Sequence, residues 1–511
     1  MKVCLPIIDF FYGRYAGFKP IIIICGSLLI FFTLCPFGFC EGDKLAGPKV
    51  IKEMTLADCV FLAVRTNRSI KSAYLDRVVQ KFDLKVAEDE FIPNVDVTSS
   101  IKHSSTGDGD NRLYINSGEI TSTVTEKIPT GADFTFTWAN TGARTEDAGA
   151  HQDAYTSSWG FTLSQPLLKG AGMEVNTASL ETARINEKIN ILSLKSTVSD
   201  TITSAITAYR SFVEARKQLD INRQSLERAK ELLEVNKALI SAGRMARVDI
   251  VQTQSDVANR EFGLLQAENA LDAARLALLK VLDIDKYTMI VPKEKTEIKR
   301  VRPDLARCQA LALQNRRDYL QALLNLKTIE LDLVVAKNNR LWDLSLEGGY
   351  GISGEGDERI GDAFGKSTNA NRSAWNVGLM LSIPLYGDLT REQTYLGAKI
   401  NLKKAKIGME ELKENIEIEV LDAVRDVEMK LRQVELARQA RVLSEKKLEI
   451  EKEKLKAGRS TNFQLVSFQN DLIVVQSSEL NANIAYLNAL TSLDNVLGTT
   501  LDTWKIEIKE E

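Results

Sequence analysis

One eleven-residue stretch occurs twice, and more than any other feature it limits what this chain can fold into. Ala242-Gly243-Arg244-Met245-Ala246-Arg247-Val248-Asp249-Ile250-Val251-Gln252 returns 215 residues later as Ala457-Gly458-Arg459-Ser460-Thr461-Asn462-Phe463-Gln464-Leu465-Val466-Ser467. Ala, Gly and Arg hold their places in both copies. Each copy interrupts a run with a seven-residue apolar repeat: Phe212, Leu219, Leu226, Leu233 and Ile240 precede the first, and Val251, Ala258 and Leu265 follow it. Glycine reaches the positive φ that ends a helix without the strain a Cβ brings. The polar residues behind it suit a turn and a new helix start. Each copy therefore predicts the tip of an antiparallel helical hairpin with a coiled-coil seam.

The rest of the chain repeats around these tips. Thr55-Leu56-Ala57-Asp58 is a capping-box-like start for a helix to about Glu90, and Asp304 after Pro303 opens its counterpart, with Cys59 matching Cys308 and Ala63 matching Ala312. Alternating segments follow: Phe91–Ile101 and Trp159–Leu167 in the first half, Leu341–Glu347 and Val377–Leu385 in the second. The first half carries 31 extra residues between its strands, and these alternate too, as in Phe134-Thr135-Phe136-Thr137-Trp138 behind a Pro129-Thr130-Gly131 turn. Long helices are expected from near Glu174 and Arg391, each of about 67 residues and roughly 100 Å to its tip. Helices of only about 36 residues should follow the tips, so the pre-strand helices would fill the gap by stacking end to end on them. Short β-prone pieces, Tyr287–Val291 and Trp504–Ile508, close each set. Between the heptad leucines sit Asn222, Ala229 and Asn236, a thin seam that calls for several copies to share one core.

The first 40 residues stand apart. Lys2, Arg14 and Lys19 precede the apolar run Ile21–Cys35, and Gly38-Phe39-Cys40 ends it with small residues. This predicts a signal peptide cleaved near Cys40, an uncleaved anchor being the alternative. Beyond it no stretch is apolar enough to span a bilayer as a helix, so any membrane passage would be by β-strands. Four of five tryptophans (Trp138, Trp159, Trp342, Trp375) lie in strand territory, which suits a barrel with interfacial aromatics, a β-sandwich core being the plainer reading. The domain expectation is 1–40 signal peptide, 41–302 first repeat and 303–511 second repeat.

Little in the chain suggests chemistry. A net charge of −3 argues against a general nucleic-acid binder. His103 and His151 are the only histidines, which excludes a His-based triad and a His-rich zinc site. Gly349-Tyr350-Gly351-Ile352-Ser353-Gly354 fits GxGxxG, but no helix start follows it. Gly361-Asp362-Ala363-Phe364-Gly365-Lys366-Ser367 falls one residue short of a P-loop and reads as a flexible, exposed inter-strand loop. Neither an enzyme nor a cofactor is expected.

Two rounds of helix, strand pair, long helix, glycine tip and shorter helix behind a signal peptide resemble the TolC-like outer membrane efflux protein family over residues 51–511. The most specific features are the paired tips, the strand-to-helix junction Ser164-Gln165-Pro166-Leu167-Leu168 and its partner Ser382-Ile383-Pro384-Leu385. The resemblance implies an α+β, two-repeat protomer of a homotrimer. A transmembrane β-barrel set in outer-membrane lipid would continue into a long periplasmic α-helical barrel. Its implied partners are a periplasmic adaptor and an inner-membrane pump, in drug efflux or type I secretion, and the implied docking and entrance residues are Gly243, Arg244, Asp249, Gly458, Arg459, Ser460, Gln464 and Ser467. In the member that gives the family its name, the second tip carries two aspartates that ring the entrance; the matching residues here are Gln464 and Ser467. Asp249 matches a family aspartate that ties neighbouring helices, whereas its arginine partner falls on Ser460, beside Arg459. Whether the extra hairpin near 113–140 joins the barrel stays open at this level.

Overall fold

The structure, a computed structural model, describes residues 51–508 apart from 109–110, 148–149, 244, 294–297 and 458. The expected signal segment, Arg244 and Gly458 therefore lie outside the described residues. The elements in chain order are β1 (Ile51–Met54), α1 (Leu56–Thr66), α2 (Arg68–Asp89), β2 (Asn94–Asp108), β3 (Asn111–Lys127), β4 (Asp133–Asp147) and β5 (Ala150–Pro166). Then come α3 (Met173–Asn176), α4 (Ala178–Ser241), α5 (Asp249–Leu282), β6 (Met289–Pro292), α6 (Leu305–Asn315) and α7 (Arg317–Asn338). β7 (Asp343–Gly356), α8 (Ile360–Ser367), β8 (Ser373–Ser382), α9 (Leu389–Lys456), α10 (Asn462–Val496) and α11 (Thr500–Thr503) complete the chain. Two compact units form: one from the described residues up to Lys71, Val198–Asp304 and those from Asp422 onward, the other from Ser72–Thr197 and Leu305–Leu421. Each unit takes segments from both sequence halves.

The second unit holds an antiparallel sheet in the order β2-β3-β4-β5-β7-β8. Its register explains the alternation in the sequence. One row across all six strands is Val95, Val124, Phe136, Phe161, Tyr350 and Trp375. The neighbouring row, on the opposite face, is Asp96, Thr123, Thr137, Gly160, Gly351 and Ala374. Side chains alternate between faces along a strand, so the sheet has one apolar and one small, polar side. The apolar side is open on the outer strands, where Val97 is 68% exposed, Trp375 75%, and Val377 and Leu379 69%. The extra residues of the first half are β3 and β4, built into the middle of the sheet. Their turn is locked to the start of the helices. The Gly172 amide donates to the Thr130 carbonyl at 3.1 Å, and a Cβ on Gly131 (φ +100°) would stand 2.3 Å from the Gly170 carbonyl.

One motif reading needs correction here. Gly361–Ser367 is not a flexible exposed loop but most of helix α8, with Ala363 and Ser367 buried. It lies on the apolar side, where the Trp159 indole N–H donates to the Ser367 carbonyl at 3.1 Å and Gly354 leaves room for its backbone. The GxGxxG stretch runs inside β7, paired to β5 and β8, and starts no helix. The helices before the strands also differ from expectation, since each is broken once, at Asn67 and at Arg316. Arg77 on α2 pairs with Glu187 on α4 within this unit, and Arg316 with Glu419 on α9.

The first unit is helical. Thr55 caps α1 as its sequence predicts: the Asp58 amide donates to Thr55 Oγ1 at 3.2 Å and the Thr55 amide to Asp58 Oδ2 at 2.9 Å. Cys59 and Ala63 pack with Phe212, Leu278, Leu282 and Ile290 in its core. At the break after α1, Thr66 Oγ1 donates to the Leu282 carbonyl and Asn67 Nδ2 to the Val281 carbonyl at 2.9 Å. Those carbonyls are orphans of the α5 C-terminus, so the break serves as a cap for another helix. β1 pairs parallel with β6, Ile51 opposite Met289, which fulfils one of the two β-prone expectations. The other fails: Trp504–Ile508 contains no strand, and α11 precedes it. Among the described residues, Cys59 and Cys308 are buried thiols of α1 and α6.

Candidate functional site at the hairpin tips

Helix α4 has 64 residues and α9 has 68, against 34 and 35 for α5 and α10. The tips between them lie in the helical unit. At the first, Gly243 takes φ +71° and its amide donates to the Ile240 carbonyl at 3.0 Å. A Cβ there would meet nothing within 4 Å, so backbone conformation alone calls for glycine. Asp249 is the first residue of α5, behind Val248 at the N-cap with no side-chain cap. At the second tip the polar residues do more. Thr461 caps α10 by accepting from the Gln464 amide at 3.3 Å, and Ser460 Oγ donates to Glu451 Oε1 at 2.6 Å. That bond, with Lys454 beside it, holds the Glu451 carboxyl below the usual carboxylate range. Arg459 and Gln464 are exposed and Ser467 half-buried.

The two tips share one core. Leu232 of α4 packs with Leu448 of α9 and with Leu465, Val466 and Leu472 of α10. Asn462 Nδ2 contacts Met245 Sδ at 3.6 Å, and Arg260 of α5 bonds Asn470 of α10. Gly243, Ser460, Gln464 and Ser467 thus belong to one end of one body. Within the first hairpin, Asn236 Nδ2 donates to Thr253 Oγ1 at 2.8 Å; both residues are fully buried, and Asn236 Oδ1 has no partner among the described residues. The sequence shows Asn236 as a polar interruption of the seam, while nothing in it singles out Thr253. The seam itself drifts, from Phe212, Leu219 and Leu226 to Ala229, Leu232 and Asn236, as a 3.6-residue helix must against a seven-residue repeat. Beside the second tip an open groove of about 740 Å³ is lined by Leu443, Lys447, Ile450, Lys454, Arg459 and Phe468. Among the described residues no group of three or more His, Cys, Asp or Glu could hold a metal ion, and no helix is long and apolar enough to cross a membrane.

A two-faced antiparallel sheet joined to helical hairpins of this length defines the TolC-like class of channel proteins. The sequence profile of the outer membrane efflux protein family matches residues 62–282 and 310–499, and the chain belongs to that family. Its place is accordingly the outer membrane. Nodulation protein T of Rhizobium leguminosarum bv. trifolii is 25% identical over 57% of this chain, which matches only 62% of that relative's length. The outer membrane efflux protein BepC of Brucella suis biovar 1 is 22% identical over 67% of this chain and 72% of its own. In fold, the chain is similar to the CmeC outer membrane channel of Campylobacter jejuni, with a TM-score of 0.65 and 16% identity over 87% of this chain and 86% of that one.

Proposed function

We propose that three copies of this chain form one outer-membrane efflux channel, their sheets closing a barrel and their hairpins extending it into the periplasm. The observation that carries this reading is the sheet: its apolar side is open along β2 and β8, which are its outer strands. A membrane tolerates no open sheet edge, so the strands of one copy must continue into those of the next. Two helix stripes support the same conclusion. On α2, Leu75, Val78, Val79, Phe82 and Val86 are 58–70% exposed, and on α9, Met429, Leu436, Leu443 and Ile450 lie seven apart at 57–60%. Seven-residue apolar spacing calls for a helical partner, and a second copy supplies one.

The tips then form the periplasmic end, where an adaptor linked to an inner-membrane pump docks. Gly243, Arg244, Gly458 and Arg459 shape the repeated docking surface; Asp249, Ser460, Gln464 and Ser467 line the entrance. The chain catalyses nothing in this scheme and carries no cofactor. Fractionated membranes run on unheated SDS gels, followed by planar-bilayer recording, test it. A heat-dissociable trimer of the outer membrane that conducts is expected; a soluble periplasmic monomer refutes the channel.

A further inference from the structure

We infer that the barrel wall is built from six strands of each copy, eighteen in all, and that its wide, small-residue lumen passes bulky hydrated cargo. The inference rests on the trimeric channel proposed above and concerns what the extra hairpin, β3 with β4, does to it.

Three observations place that hairpin in the wall. First, it is interior to the sheet: β3 pairs with β2 and β4 along its length, and β4 with β3 and β5. A flap outside the membrane would leave β2 hydrogen-bonded directly to β5, which it is not. Second, it carries the same two faces in the same register. Val124 and Phe136 complete the apolar row that runs from Val95 to Trp375, and Thr123 and Thr137 complete the polar row beside it. Ring contacts continue across the boundary, Phe134 of β4 lying 6.3 Å from Phe161 of β5. An apolar outer face that stopped at β5 would mark a four-strand contribution; this one does not stop. Third, its turn sits at the helix-bearing end. Thr130 Oγ1 donates to Gln165 Oε1 at 3.0 Å, Lys127 pairs with Glu90 at the end of α2, and Ser179 at the start of α4 bonds the same carboxylate. The hairpin therefore spans the same thickness as its neighbours rather than folding over them.

Strand number sets barrel width. Strands about 4.8 Å apart and tilted by about 40° put the backbone of an eighteen-strand barrel about 36 Å across, against about 24 Å for twelve. Sixteen to eighteen strands is also where membrane barrels leave an aqueous channel. The inward side adds little bulk: Thr137, Gly160, Thr162, Gly349, Gly351 and Ser353 line its middle strands. Cross-sectional area grows about 2.3-fold over twelve strands, enough for a solute that keeps its hydration shell.

The test uses the full-length trimer in proteoliposomes, with single cysteines on both faces of the hairpin. Thr121→Cys and Thr137→Cys should react with a membrane-impermeant maleimide in buffer; Ile120→Cys and Phe136→Cys should react only after detergent is added. Conduction and trimer formation are checked on the same samples. Labelling of all four sites in a conducting trimer overturns the six-strand wall but leaves the channel standing, whereas absence of a trimer overturns both. Excising residues 111–147 lets β2 pair antiparallel with β5 in a twelve-strand wall. Its open-pore conductance should fall to about 0.4 of the parent's, and neutral polymers that enter the parent lumen should be excluded. Unchanged conductance and polymer entry in the excised trimer also overturn the inference; if that variant fails to assemble, the labelling pattern decides.

Discussion

The hydrogen bond between Asn236 and Thr253 is the sharpest point at which the first hairpin can be tested. Both residues are 0% exposed, and the bond joins α4 to α5 in the turns nearest the tip. Thr253→Val keeps the shape of the side chain but strands the Asn236 Nδ2 donor in a dry seam, at a cost of about 1–3 kcal/mol. Asn236→Leu is milder. It removes an amide whose Oδ1 already lacks a partner, and leaves a threonine hydroxyl that can turn back to its own helix, as Thr203 and Thr207 do. With both changes the seam becomes apolar throughout, and stability should return to within about 0.5 kcal/mol of the parent or exceed it. Hydrogen exchange of the hairpin amides measures this in the assembled protein, since about 1.4 kcal/mol is tenfold in opening. Thr253→Val should exchange about 5- to 150-fold faster between residues 229 and 257, and the double variant at the parental rate. A double variant as fast as Thr253→Val would mean that the bond is not what holds the hairpin, and the seam argument would fall.

Three further outcomes follow from the geometry. At Gly243, where no side chain would collide with anything, export should decline in the order Asn, Ala, Val as the cost of positive φ rises to about 1–2 kcal/mol, with trimer levels constant; equal export by all three removes the conformational argument. A Cβ on Gly354 would stand 2.0 Å from the Ala363 carbonyl, whereas one on Gly348, on the same face of the same strand, meets nothing. Gly354→Ala should therefore free α8 and open Lys366 to trypsin on intact cells, Gly348→Ala should not, and matching digestion patterns would refute the seating of α8. The Glu451 carboxyl is held below its ordinary range when the protein is folded, so its contribution is present at neutral pH and is lost as pH falls through that lowered range. A spin label at Ala457 should gain mobility over that window in the parent and show no such transition in Glu451→Gln; a transition of equal size in both assigns it elsewhere.

What the sequence reveals and conceals here follows from the range of the forces involved. The positive φ of Gly243 and the Thr461 cap are local necessities, fixed within a turn of helix, and their residue types announce them. Alternation in Phe134–Trp138 likewise announces a strand. It does not say which strand lies next to it, because pairing β4 with β5 is a long-range choice made by register across the whole apolar row. Helix α8 was hidden for a related reason: its glycines at 361 and 365 argue for a loop, and only the platform of Trp159 and Gly354 makes a helix worthwhile. The breaks at Asn67 and Arg316 were illegible because they serve partners far off in sequence, the α5 carbonyls in one case and Glu419 in the other. At the tip, Ser460 stands out by its place in the repeat, while Glu451, which it bonds, sits in a Glu-Lys run that reads as solvated surface.

The parallel pairing of β1 with β6 sets an order of events during biogenesis. Ile51 meets Met289, so this small sheet closes a loop of more than two hundred residues. Closing a flexible chain of that length costs about 5 kcal/mol, far more than four residue pairs return on their own. The cost drops once α4 and α5 have zipped from their tip and brought Ile290 near Tyr209, whose hydroxyl donates to the Met54 carbonyl. β1 is thus the clasp of the first repeat, fastened last although it is made first. As the chain emerges from the export machinery, that strand must wait, edge exposed, until nearly half the protein has followed it. A holding factor that binds short extended segments would have its target there, and a nascent chain stopped before residue 289 would display it.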